Sequence, residues 1–139
     1  MTKVEQPVWF KKAISNEPKK LSIKVKGVKI VYNAWGEKDN PGILFVHGGM
    51  AHADWWDFIA PYFIKTHRVI AMNLGGMGDS EWRKEYSTEM WGTEIESVCK
   101  KEKLKKPIIV GHSLGGMCGV YAASIMKKSL YGLIIVDTA

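Results

Sequence analysis

Four short, mostly apolar runs, each followed directly by a glycine or a polar residue, constrain the fold of this chain more than any other feature. Three are continuously apolar and the fourth begins with an arginine: Ile43–Val46, Ile108–Val110, Leu133–Val136 and Arg68–Met72. Apolar runs of this length, bounded by turn residues, fit strands that are covered on both faces. Parallel sheets contain such strands, so the runs predict a mostly parallel sheet.

The segments around these runs predict a hairpin, a turn and three helices. Alternating residues on either side of Lys26-Gly27 predict a β-hairpin over Lys20–Trp35, and Asp39–Gly42 is a dense turn signal. Helices are predicted from Asp54 to about Lys65, from Ser87 or Thr88 to about Leu104, and from Leu114 to Lys127.

The predicted order of elements is β-β-β-α-β-α-β-α-β. Strands that alternate with helices indicate an α/β fold, a mostly parallel twisted sheet of about six strands with helices on both faces. A chain of 139 residues is long enough for one domain and too short for two. We therefore expect a single domain over residues 1–139, with residues 1–19 as an N-terminal extension. Ligands of such sheets bind beyond the carboxyl ends of the strands.

The net charge of +6 raises the question of nucleic-acid binding. Eighteen of the twenty basic residues are lysines, whereas nucleic-acid readers rely mainly on arginine. The densest lysine run, Lys100–Lys106, falls at a predicted helix C-terminus, where cations complement the helix dipole. We therefore expect no nucleic-acid partner.

Membrane, metal and redox roles also lack a sequence signal. No apolar run approaches the roughly 18 residues needed to cross a bilayer, and Met1–Lys12 lacks the apolar core of a signal peptide. The two cysteines, Cys99 and Cys118, form neither a metal-binding spacing nor a disulfide framework. These observations predict a cytoplasmic protein without a membrane partner, a metal or a cofactor.

The sharpest chemical signal is the segment Gly111-His112-Ser113-Leu114-Gly115-Gly116. It matches the pattern G-x-S-x-G, in which a serine occupies a tight turn between a strand and a helix and projects its hydroxyl. The predicted strand before it and the predicted helix after it supply that context, and the glycines leave room for a strained turn. The alternative is an ordinary N-capping serine.

Three motifs together resemble a known family. Val46-His47-Gly48-Gly49 follows the third predicted strand, Asn73–Ser80 follows the fourth, and the Ser113 segment follows the fifth. In this order and spacing they are similar to the signatures of the α/β-hydrolase superfamily, and most of all to its small esterase and meta-cleavage-product hydrolase branch. The resemblance runs from about Leu21 to Ala139. It implies that the chain corresponds to the first two-thirds of a catalytic domain, without the cap and the final strands.

The resemblance implies roles for individual residues. Ser113 falls on the nucleophile, and its elbow comprises Gly111, His112 and Gly115. The backbone N–H of Leu114 falls on one half of the oxyanion hole, and the other half falls on Gly49 or, second, on Met50. Some family members supply the triad acid from the position of Asp137, although a structural aspartate at a strand end is the favoured interpretation. Epoxide hydrolases and haloalkane dehalogenases carry aspartate at the nucleophile position, where this chain has serine.

Two departures from the family pattern matter. In the loop after the fourth strand, Asn73, Gly75 and Met77 stand where the family usually has aspartate, Arg or Pro, and His or Phe. More seriously, no histidine follows Ser113, although the order in this fold is serine, acid, histidine. Of the earlier histidines only His52 has a loose route to the pocket mouth.

We expect a serine-nucleophile hydrolase of the α/β-hydrolase superfamily that cleaves an ester, or a related acyl or C–C bond, of a small molecule through an acyl-enzyme. Its activity in this chain should be impaired, because a nucleophilic serine needs a base. The alternative is a non-catalytic binding module that keeps the sheet. The last strand, Tyr131–Asp137, would present an apolar edge, and such edges are templates for pairing. We therefore expect a homodimer or larger assembly through this strand, or through a missing C-terminal segment that fills the same gap.

Overall fold

One mixed sheet organises the chain. The computed structural model describes residues 4–138, and within that range six strands pair in the order β1-β2-β4-β3-β5-β6. The strands are β1 Lys19–Val25, β2 Val28–Trp35, β3 Gly42–Val46, β4 Arg68–Met72, β5 Ile108–His112 and β6 Gly132–Val136, and the helices are α1 Val8–Ile14, α2 Thr88–Lys101 and α3 Leu114–Met126.

Strand direction follows from the connections. β1 pairs with β2, and β2 with β4, in antiparallel register. β4, β3, β5 and β6 are mutually parallel neighbours, as expected for strands joined by crossovers. The predicted α/β class and the mostly parallel sheet are therefore confirmed, and the carboxyl ends of β3, β4, β5 and β6 share one rim.

The predicted hairpin is present and turns through two residues with positive φ, Lys26 at 47° and Gly27 at 81°. Two successive left-handed residues are the requirement of a type I′ turn, whose twist matches that of the flanking strands. Lys26 accepts this conformation as a non-glycine residue, while Gly27 adopts it without a steric cost.

The core lies on both faces of the central strands, which explains why their sequences are continuously apolar. On β3, Leu44 and Val46 pack in the cluster that α2 and α3 cover, whereas Ile43 and Phe45 pack in the cluster on the opposite face. Successive side chains of a strand point to opposite faces, so a strand buried on both sides has no polar position.

The predicted helix from Asp54 to about Lys65 is wrong. The segment forms two short 3-10 turns, Ala53–Trp56 and Ala60–Tyr62. Pro61 lies in the second turn and has no N–H to donate to an earlier carbonyl, so a continuous α-helix is not available. Asp54 does not cap a helix either. Its carboxylate accepts a 2.9 Å hydrogen bond from the buried Asn33 amide.

The helices α2 and α3 agree with prediction more closely. Ser87 caps α2 by accepting a 3.1 Å hydrogen bond from the N–H of Met90, as its residue type indicates. The helix ends at Lys101, before the predicted Leu104. Lys103, just beyond this end, takes a positive φ of 53°. α3 begins directly after Ser113 and ends one residue before the predicted Lys127.

The two ends of the described chain differ in their packing. Near the beginning, Trp35 donates its ring N–H to the carbonyl of Asn16 at 2.7 Å, and Trp9 and Phe10 lie against Phe58. Near the other end, β6 pairs only with β5 among the described strands. Tyr131 is 76% exposed and Ile134 is 51% exposed, so the outer edge of β6 is an apolar surface.

Candidate active site

Ser113 occupies a strained turn between β5 and α3. Its φ is 49° and its ψ is −118°, a conformation that costs a non-glycine residue about 1–3 kcal/mol. The glycines around it explain how the turn fits. A Cβ on Gly111 would stand 2.4 Å from the carbonyl oxygen of Gly115, and one on Gly115 would stand 2.5 Å from that of Val46. Only hydrogen atoms fit at both positions.

The loop after β3 lies directly beside this turn. A Cβ on Gly48 would stand 3.3 Å from the Cβ of Ser113, and one on Gly49 would stand 3.9 Å from the Leu114 side chain. Met50 has a positive φ of 56° and is 99% exposed. The structure thus brings Gly49 and Leu114 together next to Ser113, with the side chain of Met50 in solvent.

The end of β6 also contacts the turn. The N–H of Ser113 donates a 2.9 Å hydrogen bond to the carbonyl of Val136. Asp137 follows immediately, exposed and with a positive φ of 49°. Asp137 therefore lies on the same rim as Ser113, while no hydrogen bond of its carboxylate to a described residue is formed.

The four histidines are engaged elsewhere. His112 packs over Gly48 with its ring 6.4 Å from that of Trp55, and His67 contacts the hydroxyl of Thr66. The ring of His52 lies 3.6 Å from Asp54, and His47 is buried between two loops. Within residues 4–138, no histidine hydrogen-bonds the hydroxyl of Ser113.

The loop after β4 is held by contacts that the sequence motifs did not reveal. Asn73 accepts a 2.7 Å hydrogen bond from the N–H of Ala53. Glu94, buried on α2, accepts from the N–H of Gly75 and from Arg83, each at 2.8 Å. Burial raises the pKa of Glu94, and the hydrogen bonds from Gly75 and Arg83 oppose that rise. The sequence signal that could have revealed these contacts is Glu94 itself, an acidic residue beside Ile95 on the apolar face of α2.

An open apolar cavity of about 490 Å³ borders the loop after β3. Its side chains include Met50, Met77, Trp82, Tyr86 and Trp91, and Trp82 is 79% exposed. Trp56, in contrast, stacks on Phe45 in the core with ring centres 4.7 Å apart. The exposed aromatic side chains provide an apolar surface between the loop after β3 and the loop after β4.

The two cysteine thiols are buried. Burial raises the pKa of the Cys99 and Cys118 thiols to about 12, so both are inert at neutral pH. In residues 4–138, no three His, Cys, Asp or Glu side chains converge in a way that could hold a metal ion. No helix in the same range has both the length and the apolar character for a membrane span.

Known proteins resemble this chain in both sequence and structure. Human epoxide hydrolase 4 is 27% identical over 118 residues, covering 83% of this chain and 33% of that protein. A serine hydrolase-like protein of Dictyostelium discoideum is 35% identical over 106 residues, 71% of this chain and 29% of that protein. A thioesterase domain from the curacin biosynthetic pathway superimposes with a TM-score of 0.80 at 27% identity, covering 88% of this chain and 47% of that one.

The chain therefore spans about a third of the length of these two relatives and about half of the solved domain. Residues 41–138 match the family model described as the alpha/beta hydrolase fold. That range includes β3 to β6, the loop after β3 and the turn at Ser113. The chain belongs to the alpha/beta hydrolase family.

Proposed function

We propose that this chain carries the nucleophile and the oxyanion-binding backbone of a serine hydrolase that cleaves esters of small molecules. The observation that carries the proposal is the backbone of Ser113, with φ 49° and ψ −118° at a strand-to-helix junction. Lys127, at the exposed end of α3, has similar angles, so the location of Ser113 matters as well: it lies against the loop after β3, and strained residues that their surroundings hold in place concentrate at active sites. An ordinary N-cap has extended backbone angles, as Ser87 does at −151° and 161°.

In the proposed reaction, the hydroxyl oxygen of Ser113 attacks the ester carbonyl carbon and its proton passes to an imidazole base, which is supplied from solution in the test below. The carbonyl oxygen becomes an oxyanion that accepts hydrogen bonds from the N–H groups of Leu114 and Gly49, and donors of this kind stabilise the transition state by about 3 kcal/mol each. The C–O bond to the alcohol then breaks, with a proton returned to the alcohol. Water attacks the acyl-enzyme in the same way and releases the acid and Ser113.

Serine chemistry is favoured over epoxide opening by the residue at position 113. One relative is named an epoxide hydrolase and another a serine hydrolase-like protein, and an esterase of Mycobacterium tuberculosis is 29% identical over 105 residues. A serine alkoxide forms acyl esters with carbonyl substrates, so an ester is the substrate class that suits Ser113. The apolar cavity beside Met50 suits an apolar substituent on that ester.

The second candidate is a non-catalytic binding module. It is favoured by one observation, the lack of any histidine bonded to the hydroxyl of Ser113 among the described residues. Removal of the base from a triad costs several powers of ten in rate. Under this candidate the strained turn would be retained for folding alone.

Imidazole can replace a missing histidine base, and this gives the test. Hydrolysis of p-nitrophenyl acetate by the chain and by Ser113→Ala is measured over a range of imidazole concentrations, with mass spectrometry for acetylated Ser113. We expect the two proteins to be nearly equal without imidazole. Added imidazole should accelerate the unmodified chain beyond Ser113→Ala and produce acetylation at Ser113.

Ser124→Ala is the matched control, because Ser124 lies on α3 and donates to the carbonyl of Tyr121 at 2.7 Å, away from the turn. It should behave as the unmodified chain does. Equal rates for the chain and Ser113→Ala at every imidazole concentration, without acetylated Ser113, would contradict the proposal and favour the binding module.

A further inference from the structure

The carbonyl oxygen of Ser113 is anchored from two directions. Within α3 it accepts hydrogen bonds from the N–H groups of Gly116 at 2.9 Å and Met117 at 3.3 Å. From the segment after β6, the hydroxyl of Thr138 donates to the same oxygen at 3.0 Å, and its contact with the carbonyl oxygen of Val136 is longer, at 3.4 Å. Among the described residues, Thr138 is the only one whose side chain hydrogen-bonds the backbone of Ser113.

The sequence around Thr138 creates this contact. Asp137 takes a φ of 49°, which turns the chain away from the direction of β6. A Cβ on Gly116 would stand 2.1 Å from the hydroxyl oxygen of Thr138, so any larger residue at position 116 would displace that hydroxyl. Gly116 and the turn of the chain at Asp137 together leave a space that the side chain of Thr138 fills.

The anchored oxygen controls the direction of a neighbouring N–H group. The carbonyl of Ser113 and the N–H of Leu114 belong to one peptide unit, which is planar and trans. In such a unit the two bonds point in opposite directions, so fixing the oxygen of Ser113 also fixes the N–H of Leu114. Donors to an oxyanion act through preorganisation, and a rotation of this peptide plane would misdirect one of them.

We propose that Thr138 is a positioning residue that orients the Leu114 N–H by holding the carbonyl oxygen of Ser113. The inference rests on the proposed function in one respect, namely that the Leu114 N–H serves an oxyanion. The Thr138 hydroxyl bonds the carbonyl oxygen of Ser113 and not its side-chain hydroxyl, so its effect passes through the peptide plane. The expected signature is a lower kcat with an unchanged KM, because the oxyanion exists only in the transition state.

Three variants test this. Thr138→Val keeps the shape and removes the hydroxyl, Thr138→Ser keeps the hydroxyl, and Thr93→Val removes a hydroxyl that donates to the carbonyl of Glu89 at 2.8 Å on α2. In the imidazole-supported ester assay, Thr138→Val should lower the Ser113-dependent kcat about tenfold, the cost of about one hydrogen bond, with KM within about twofold. Thr138→Ser should restore kcat, and Thr93→Val should leave it unchanged.

Amide hydrogen exchange provides a readout that does not depend on catalysis. In Thr138→Val, the N–H of Gly116 should exchange about tenfold faster, and the amide signals that shift should be confined to residues 113–117. An unchanged kcat and unchanged exchange in Thr138→Val would overturn the proposal, as would changes spread over the whole sheet or a Thr138→Ser variant that fails equally. If Ser113→Ala matches the unmodified chain while these local exchange changes occur, the proposed function fails and the positioning of this peptide unit stands.

Discussion

The buried imidazole of His47 accepts a 3.1 Å hydrogen bond from the backbone N–H of Leu74 and thereby ties the loop after β3 to the loop after β4. Its other nitrogen lies 2.7 Å from the carbonyl oxygen of Gly48. Since the N–H of Leu74 can only donate, Nε2 carries no proton and Nδ1–H donates to Gly48. His47 is therefore a neutral structural link between two loops of the candidate site, and both ring nitrogens are occupied.

This link gives a first prediction. Burial lowers the pKa of His47, so the stability that the neutral ring contributes is present above the ordinary histidine pKa of about 6.5 and is lost as the pH falls through the folded-state value. We expect nitrogen NMR of the ring to show the neutral Nδ1–H tautomer at neutral pH and no protonation of this ring near pH 6.5. Detection of a protonated Nε2 at neutral pH would contradict the assignment.

A second prediction concerns Gly115, whose Cα approaches the backbone of β3. A Cβ there would meet the carbonyl oxygens of Val46 at 2.5 Å and His47 at 2.6 Å, and backbone atoms cannot move aside as a flexible side chain can. Gly115→Ala should lower the free energy of unfolding by about 2–3 kcal/mol, although alanine normally favours a helix. Chemical denaturation measures this change.

Gly132→Ala is its control, because a Cβ at Gly132 would meet nothing within 4 Å. That variant should stay within about 0.5 kcal/mol of the unmodified chain. A Gly115→Ala variant as stable as Gly132→Ala would show that α3 does not approach β3 so closely.

A third prediction compares two glutamates on α2. Glu94 is buried and pairs with Arg83 and the N–H of Gly75, whereas Glu96 pairs with the exposed Lys100 one turn later. Glu94→Gln should lower the free energy of unfolding by about 3 kcal/mol because it leaves the Arg83 charge buried without its partner. Glu96→Gln should change it by less than about 0.5 kcal/mol. Equal losses in the two denaturation curves would refute the assigned difference in burial.

A fourth prediction concerns the pH dependence of stability. Burial, and second the charge of Asp54, raise the pKa of Asp57 to about 6. A carboxyl whose folded-state pKa is raised contributes stability that is fully present below its unfolded-state pKa and is lost as the pH rises through the folded-state value. Asp57→Asn should therefore be more stable than the unmodified chain at about pH 8 and lose that advantage at about pH 4.

Denaturation of both proteins at the two pH values measures the difference. The advantage of Asp57→Asn should be present at about pH 8 and absent at about pH 4. An Asp57→Asn variant whose relative stability is the same at both pH values would rule out the raised pKa.

A fifth prediction concerns the outer edge of β6. Two copies of this edge can pair antiparallel about a twofold axis, which would cover Tyr131 and Ile134 and satisfy the edge backbone groups. We expect the chain to form dimers or larger assemblies at tens of micromolar, measured by sedimentation velocity. Ile134→Lys should shift the chain toward monomer because charge on an edge strand opposes pairing.

Val8→Lys places the same charge on α1, where Val8 is also exposed, and should leave the assembly state unchanged. A stable monomer in the unmodified chain would refute self-association through β6. Equal effects of Ile134→Lys and Val8→Lys would place the contact elsewhere.

The secondary structure of most of the chain follows from local sequence. The apolar runs of β3, β5 and β6, the turn at Lys26-Gly27 and the cap at Ser87 each predict their element because the deciding interactions lie within a few residues. The segment 53–66 shows where this fails. Its apolar spacing resembles a helix, but Pro61 and the hydrogen bond from Asn33 to Asp54, formed across the fold, favour two separate 3-10 turns.

By itself, the sequence determined the α/β class and the position of Ser113 at a strand-to-helix turn, since backbone propensity and glycine spacing act locally. Only the tertiary structure decided what surrounds that turn. The bond of His47 to Leu74 spans 27 residues and that of Thr138 to Ser113 spans 25, and both depend on β3, β4, β5 and β6 ending at one rim. No local pattern encodes such contacts, because the order of strands in the sheet brings the partners together.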